Sequence, residues 1–326
     1  MSPFNASSTA AQVSEAFKDQ CAGRVVIVTG ANTGLGLETA TTLSAHGATV
    51  ILTSRSKQNG ERAVVSIKKL YPSAKVSSAE LDLASLASVS AFATNFTAAH
   101  AHLHILINNA GVMACDQGTT QDGFETQFGV NHLGHFHLTS LLLPLLLASA
   151  TPDCPARVVN LSSFGGYLYA PPEGIPFDDL DARGSYNAWT RYGVSKLANI
   201  LHAKELQCRY GERGLCAVSL HPGVILGTKL ARHTGLASAL DTIWKIVVKP
   251  GALWTVLGER SKSIAEGAAT TVLAALDPTI EGGAFYYDCI KSAGEKMHPQ
   301  SDNAELAAKL WDASEELVAK ALGRGG

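Results

Sequence analysis

A tyrosine and a lysine stand four residues apart in Tyr192-Gly193-Val194-Ser195-Lys196. On a helix this spacing puts a phenol and an ammonium on one face. A free phenol titrates near ~10, too high for easy proton exchange at neutral pH. A nearby cation favours the phenolate and lowers that value. The pair could then give a proton to an oxygen, or take one from it. Two exposed residues at helical spacing are common by chance, so the motif gains weight only beside a second one. That second motif is Thr29-Gly30-Ala31-Asn32-Thr33-Gly34-Leu35-Gly36, which follows a β-branched run and opens a helical pattern. Gly30 allows a tight turn, and Gly34 and Gly36 let backbone approach phosphate and helix approach strand. The helix N-terminus favours an anion. The spacing is G-x-x-x-G-x-G rather than G-x-G-x-x-G, and an ordinary glycine-rich turn is the alternative for this motif taken alone. Together the two motifs indicate a bound dinucleotide with a protonic group beside it.

The next strand ends Leu52-Thr53-Ser54-Arg55. An acid there would hold a ribose 2′-hydroxyl and select NAD. None is present, and Arg55 can pair with a 2′-phosphate, so NADP(H) is the expected cofactor. A solvated surface arginine is the alternative.

The elements that must position these groups alternate. Strands are expected at 25–28, 49–52, 75–81, 105–107, 158–161, 216–220 and 284–287. Helices are expected at 39–46, 61–70, 85–100, 124–148, 188–210, 261–276 and 303–321, with a Pro-, Gly- and Asp-rich loop at 165–185. Strict β/α alternation predicts an α/β fold with a parallel sheet of about seven strands and helices on both faces. The organisation expected is an N-terminal extension at 1–22, then one domain at 23–326 with an insert at 165–187.

These motifs, in order, resemble the short-chain dehydrogenase/reductase family, from about Gly23 to Tyr287. Asn108-Asn109-Ala110-Gly111 matches its NNAG segment, and Asp82 before Leu83 matches the acid that meets the adenine amino group. Val130-Asn131-His132-Leu133-Gly134 matches the segment carrying the active-site asparagine, and Asn160-Leu161-Ser162-Ser163 the serine segment. The resemblance implies a Rossmann-type doubly wound sheet and a tetrad of Asn131, Ser163, Tyr192 and Lys196. In that arrangement Ser163 bonds the substrate oxygen, Lys196 bridges the nicotinamide ribose and tunes Tyr192, and Asn131 helps hold a water that relays protons to Lys196. Ser162 stays open as the alternative serine. The cofactor set implied adds Gly30, Asn32, Thr33, Gly34, Leu35, Gly36, Arg55, Asp82, Leu83, Asn109, Ala110 and Gly111, with Pro222, Gly223, Val224 and Thr228. The last four lie in Pro222-Gly223-Val224-Ile225-Leu226-Gly227-Thr228, which carries one residue more than the family's P-G-x-x-x-T. Phe177-Asp178-Asp179-Leu180 in the insert, and Lys196-Leu197-Ala198-Asn199, are similar to the retinol dehydrogenase and WW-domain oxidoreductase subgroup, which includes fungal pathway reductases.

Composition excludes other classes. A net charge of -2 argues against a nucleic-acid partner. Six cysteines without a CxxC pair read as free thiols in a reducing compartment. The N-terminus lacks a secretory pattern, and the apolar run 138–150 is too short for a bilayer, so a cytoplasmic protein with no membrane span is expected. His100, His102 and His104, and His132, His135 and His137, alternate without a convergent ligand set, so no metal is expected. Ser162-Ser163-Phe164-Gly165 is not a hydrolase elbow. In the family the helix holding 141–147 often forms a subunit interface, which allows a homo-oligomer. Segment 227–260 holds Leu236, Leu240, Ile243, Trp244, Ile246, Val247, Leu253 and Trp254. It would cover a hydrophobic small-molecule substrate, or else complete the core. The expected activity is hydride transfer between nicotinamide and a ketone, aldehyde or alcohol, in a biosynthetic pathway. A dehydratase, epimerase or cyclase on the same fold, or an NADP(H)-responsive binding module, are the alternatives.

Overall fold

The structure, a computed structural model, describes residues 3–184, 186–225, 260–294 and 296–323. Its strands are β1 (Val25–Val28), β2 (Thr49–Ser54), β3 (Lys75–Glu80), β4 (Ile105–Asn108), β5 (Ala156–Leu161), β6 (Leu215–His221), β7 (Val224–Ile225), β8 (Ser261–Lys262), β9 (Phe285–Tyr287) and β10 (Ile290–Lys291). The main sheet runs β10-β9-β6-β5-β4-β1-β2-β3, and β7 pairs with β8 apart from it. β1 is hydrogen-bonded in parallel to both β2 and β4. The winding therefore reverses at β1, and the crevice beyond the carboxyl ends of β1 and β4 is the place where open α/β sheets take ligands.

Strand side chains point alternately to the two faces. Ile27, Leu106, Val158 and Ala217 enter one core, with Phe136, Leu197, Leu201 and Trp311 from the helices. Val26, Val28, Ile107, Val159 and Val218 enter the other, with Val13, Leu43, Ile67 and Val272. The first face is covered by α5 (Leu86–Ala99), α7 (Gly134–Ser149), α9 (Ala188–Tyr210) and α11 (Ala304–Ala321). The second is covered by α1 (Ala10–Ala16), α3 (Gly34–Ala45), α4 (Lys57–Leu70) and α10 (Ile264–Leu276). A short α2 (Lys18–Cys21) joins α1 to β1. β4, β5 and β6 are buried along their whole length, which is why their sequences are apolar runs rather than alternations.

Several elements differ from the sequence expectation. The main sheet has eight strands rather than seven, because β10 returns antiparallel to β9 through a two-residue turn. Asp288 and Cys289 both have positive φ there, a turn without the glycine that normally signals it. The stretch 165–185 is not all loop, since α8 (Gly165–Tyr169) and a 3-10 turn, Phe177–Asp179, lie within it. The extension at 1–22 carries α1, closed by a Thr9–Gln12 capping box. The helix expected at 124–148 begins with α6 (Thr126–Phe128), passes through a π turn at Gly129–Leu133, and continues as α7. Within α7, Leu142, Leu143 and Leu146 are buried in the chain's own core.

Candidate active site

The glycine turn, the Asn109–Gly111 segment, the serine pair and the Pro222-Gly223 segment follow the carboxyl ends of β1, β4, β5 and β6, while Tyr192 and Lys196 stand on α9 and Asn131 in the turn before α7. The glycine turn follows β1, and Gly30 and Gly34 hold φ of 61° and 59°. A Cβ on Gly30 would lie 2.8 Å from the Ala110 Cβ. One on Gly36 would lie 2.9 Å from both the Ala31 Cα and the Gly30 carbonyl oxygen. The turn is bare because side chains do not fit, and that bareness leaves its backbone open to a ligand. Thr33 caps α3 without a side-chain hydrogen bond, so the helix's first N–H groups are not satisfied by a capping side chain. The Thr29 hydroxyl accepts from the Asn109 and Ala110 N–H groups at 2.9 and 3.0 Å, and Asn109 Nδ2 donates to the Thr29 carbonyl at 2.7 Å. These bonds tie the turn to the segment after β4.

Arg55 is exposed beside the Ser56-capped start of α4, where Asn59 N–H donates to Ser56 Oγ. Asp82 is half-buried, and one of its carboxylate oxygens accepts from Ala84 N–H at 3.0 Å. Leu83 packs against Gly134 so closely that a Cβ there would meet the Leu83 carbonyl oxygen at 2.5 Å. Gly223 has φ of 99°, and Val224 is exposed. Asn32, Leu35 and Gly111 are partly exposed and Thr33 is open. Thr228, and the covering segment expected at 227–260 up to 259, lie outside the described residues.

Asn131, Ser163, Tyr192 and Lys196 are brought together. Asn131 stands in the π turn, a distortion that recurs at functional sites. Its amide is engaged at both ends: Nδ2 donates to the Val112 carbonyl and to Ser195 Oγ, both at 2.9 Å, and Oδ1 accepts from Val112 N–H at 2.8 Å. Ser163 faces the Tyr192 hydroxyl and favours its charged form, and the Ser163 oxygen accepts from Gly165 N–H at 3.0 Å. Ser162 is turned away, and its hydroxyl donates to the Lys196 carbonyl at 2.6 Å. Lys196 Nζ donates to the Leu161 carbonyl at 3.0 Å and lies 5.7 Å from the centre of the Tyr192 ring.

The electrostatics correct one expectation. Burial pushes the Tyr192 phenol up to about 12, outweighing the opposing effect of Ser163. Burial likewise lowers Lys196 to about 8. The ammonium addresses the ring and a backbone carbonyl, not the phenolic oxygen, so in the protein itself it does not make the phenol acidic. Its three N–H donors meet one acceptor among the described residues.

Supporting residues went unassigned in the sequence reading. Ser195 receives Asn131 and donates to the Tyr192 carbonyl at 2.8 Å, and Asn199 Nδ2 shares the Leu161 carbonyl with Lys196 at 3.0 Å. Tyr192, Ser195, Lys196 and Asn199 follow i, i+3, i+4, i+7, so helical periodicity could have found them. Tyr169, Trp189 and Tyr192 form an aromatic run, with ring centres 4.8 and 6.3 Å apart; no sequence signal marked Tyr169. Among the described residues no group of three or more His, Cys, Asp or Glu could hold a metal ion. His132, His135 and His137 instead bond separately to Ser314, Thr29 and Ser90.

The short chain dehydrogenase family model matches residues 24–175. Human retinol dehydrogenase 12 is 40% identical over 301 residues, spanning 92% of this chain and 87% of the relative. A chloroplastic short-chain dehydrogenase of Brassica napus, TIC 32 B, is 39% identical over 297 residues, 90% of this chain and 88% of the relative. Among solved structures, an uncharacterised protein of Mycobacterium paratuberculosis superposes with a TM-score of 0.68 at 35% identity, covering 91% of this chain and 94% of the other. The RhlG/NADP active-site complex of Pseudomonas aeruginosa superposes with a TM-score of 0.59 at 25% identity, covering 81% and 94%.

Proposed function

The chain belongs to the short-chain dehydrogenase family, and from that premise we propose that it is an NADP(H)-dependent oxidoreductase acting on a hydrophobic ketone, aldehyde or alcohol. The observation that carries the reading is the Tyr192 hydroxyl beside Ser163 and the buried Lys196, in a fold whose glycine turn after β1 no side chain fills.

The residues present fit the cofactor. Gly30, Asn32, Thr33, Gly34, Leu35 and Gly36 would receive its pyrophosphate, with the uncapped start of α3 supplying N–H groups. Asp82 and Leu83 would meet the adenine, and Asn109, Ala110 and Gly111 the inner ribose. Pro222, Gly223, Val224 and Thr228 would meet the nicotinamide carboxamide. Arg55 supports the phosphorylated form of the dinucleotide, because it is exposed at the end of β2 where no carboxylate would repel a 2′-phosphate. A related solved structure holds NADP. Bound NADP(H) supplies or takes the hydride.

The chain's own groups do the rest. Tyr192 keeps its proton through neutral pH and yields it to the oxygen of a carbonyl under reduction. Ser163 fixes that oxygen through its hydroxyl, and Asn131 and Ser195 hold the backbone of Tyr192. Lys196, with spare N–H donors, would bind ribose hydroxyls and place positive charge near the oxygen. The Tyr169–Trp189 wall beside Tyr192 supports an apolar, aromatic-compatible substrate. A cytoplasmic setting and a biosynthetic role fit the unpaired cysteines and the subgroup.

Tyr192→Phe tests the reading, because it removes only the hydroxyl. NADPH affinity should persist while carbonyl turnover across an aldehyde and diketone panel falls by about 10²–10⁴. Turnover at the wild-type rate would overturn it.

A further inference from the structure

His135 is buried one helical turn after Asn131 and has no part in the reading above. Its two ring nitrogens face different machinery. Nε2 lies 2.8 Å from Thr29 Oγ1, and Nδ1 lies 3.0 Å from the Asn131 carbonyl oxygen. The proton positions follow from counting. Thr29 Oγ1 already accepts two backbone N–H groups, which uses both lone pairs. Its single O–H must therefore be donated, and the available acceptors are His135 Nε2 at 2.8 Å and the Ile107 carbonyl at 3.4 Å. The shorter bond wins, so Nε2 carries no proton. A neutral imidazole then has its proton on Nδ1, which donates to the Asn131 carbonyl. A carbonyl can only accept, so both bonds demand the same tautomer.

From this geometry we propose that His135 is a positioning residue that ties the glycine turn to the π turn carrying Asn131. The inference rests on the proposed role of the Asn131–Ser195–Tyr192 chain. Through Thr29 the imidazole fixes the hydroxyl that gathers the Asn109 and Ala110 N–H groups. Through Nδ1 it holds the carbonyl of the residue whose amide supports Val112 and Ser195. One ring thus sets the cofactor turn and the proton-transfer residues in register. It stays neutral as it does so, since burial and the nearby Lys196 charge bring it down to about 4.

Two substitutions separate the two bonds. His135→Asn places an amide N–H where Nδ1–H stood and leaves the Thr29 hydroxyl without its acceptor. His135→Gln places an amide oxygen where Nε2 stood and leaves the Asn131 carbonyl without its donor. His135→Asn should keep kcat within about threefold and weaken NADPH binding, read by fluorescence titration without turnover, by about tenfold. His135→Gln should do the reverse, with kcat down about tenfold and the NADPH Kd within about threefold. Equal effects of both amides, or none, would overturn the proposal. Nitrogen NMR of the wild-type protein tests it independently of any variant, and a protonated Nε2 would also overturn it. If Tyr192→Phe keeps full turnover while the two amides still split as stated for Kd, the functional reading fails and the tie stands.

Discussion

Raising pH should extinguish reduction well before the tyrosine titrates. Lys196 is buried and falls from 10.5 to about 8, which corresponds to roughly 3 kcal/mol of hydration that the single bond to the Leu161 carbonyl does not restore to the ammonium. Tyr192 stands near 12, so its proton is retained throughout this range. Reduction needs both the phenolic proton and the charged lysine. The group that limits it at alkaline pH is therefore the lysine, and activity is present below about 8 and lost above it. A single group titrating at about 8 is about nine-tenths charged one pH unit below and one-tenth charged one unit above, so kcat/KM for NADPH should fall about tenfold between pH ~7 and ~9. That ratio reports the free enzyme, whose lysine is the one described here. The assay is the initial loss of reduced-nicotinamide absorbance at saturating carbonyl and limiting NADPH, across about pH 6 to 10. Lys196→Arg, whose guanidinium stays charged, should lose the alkaline limb even where its rate is lower. A profile flat to pH ~10 would refute the reasoning, because it would mean that the lysine is either far more solvated than its burial implies or not needed.

Two further perturbations follow from the same structure. Arg55→Asp should reverse a preference of NADPH over NADH, by removing a charge-assisted contact worth about tenfold and adding repulsion to the phosphate; equal wild-type Kd values for the two would withdraw the NADP(H) assignment. Acid should destabilise the fold through His132, His135 and His202, which burial holds neutral, His135 near 4, His202 near 3 and His132 well below 6.5. Unfolding lets each take a proton below about 6.5, so the unfolded state binds more protons and stability falls as pH drops from there, by about 1.4 kcal/mol per pH unit per histidine. The urea midpoint at pH ~5 should lie below that at pH ~7.5, with His202→Asn flattening the slope, and coincident midpoints would refute it.

The sheet's parallel strands and the order of the motifs are legible along the chain without any tertiary contact. Those depend on local signals: β-branched runs such as Val25–Val28 buried on both faces, and glycines where a Cβ has no room. The face shared by Tyr192 and Lys196 is legible too, since a helix repeats every few residues whatever surrounds it. Tertiary structure decided what spacing does not encode. Ser163 rather than Ser162 meets the phenol because both serines lie where the chain turns from the end of β5 at Leu161 to the start of α8 at Gly165, and that turn aims the Ser162 hydroxyl at the Lys196 carbonyl. The pKa order of Tyr192 and Lys196 depends on burial, which arises only when α9 is covered by α8, α11 and the sheet. The tautomer of His135 is fixed by Thr29, 106 positions away in the chain, and the Asn131 side chain in the π turn is held by Val112 and Ser195, 19 and 64 positions away. Those contacts exist only once the strands are side by side, so a reading of neighbours along the chain reaches the residues but not the hydrogen bonds that give them their roles.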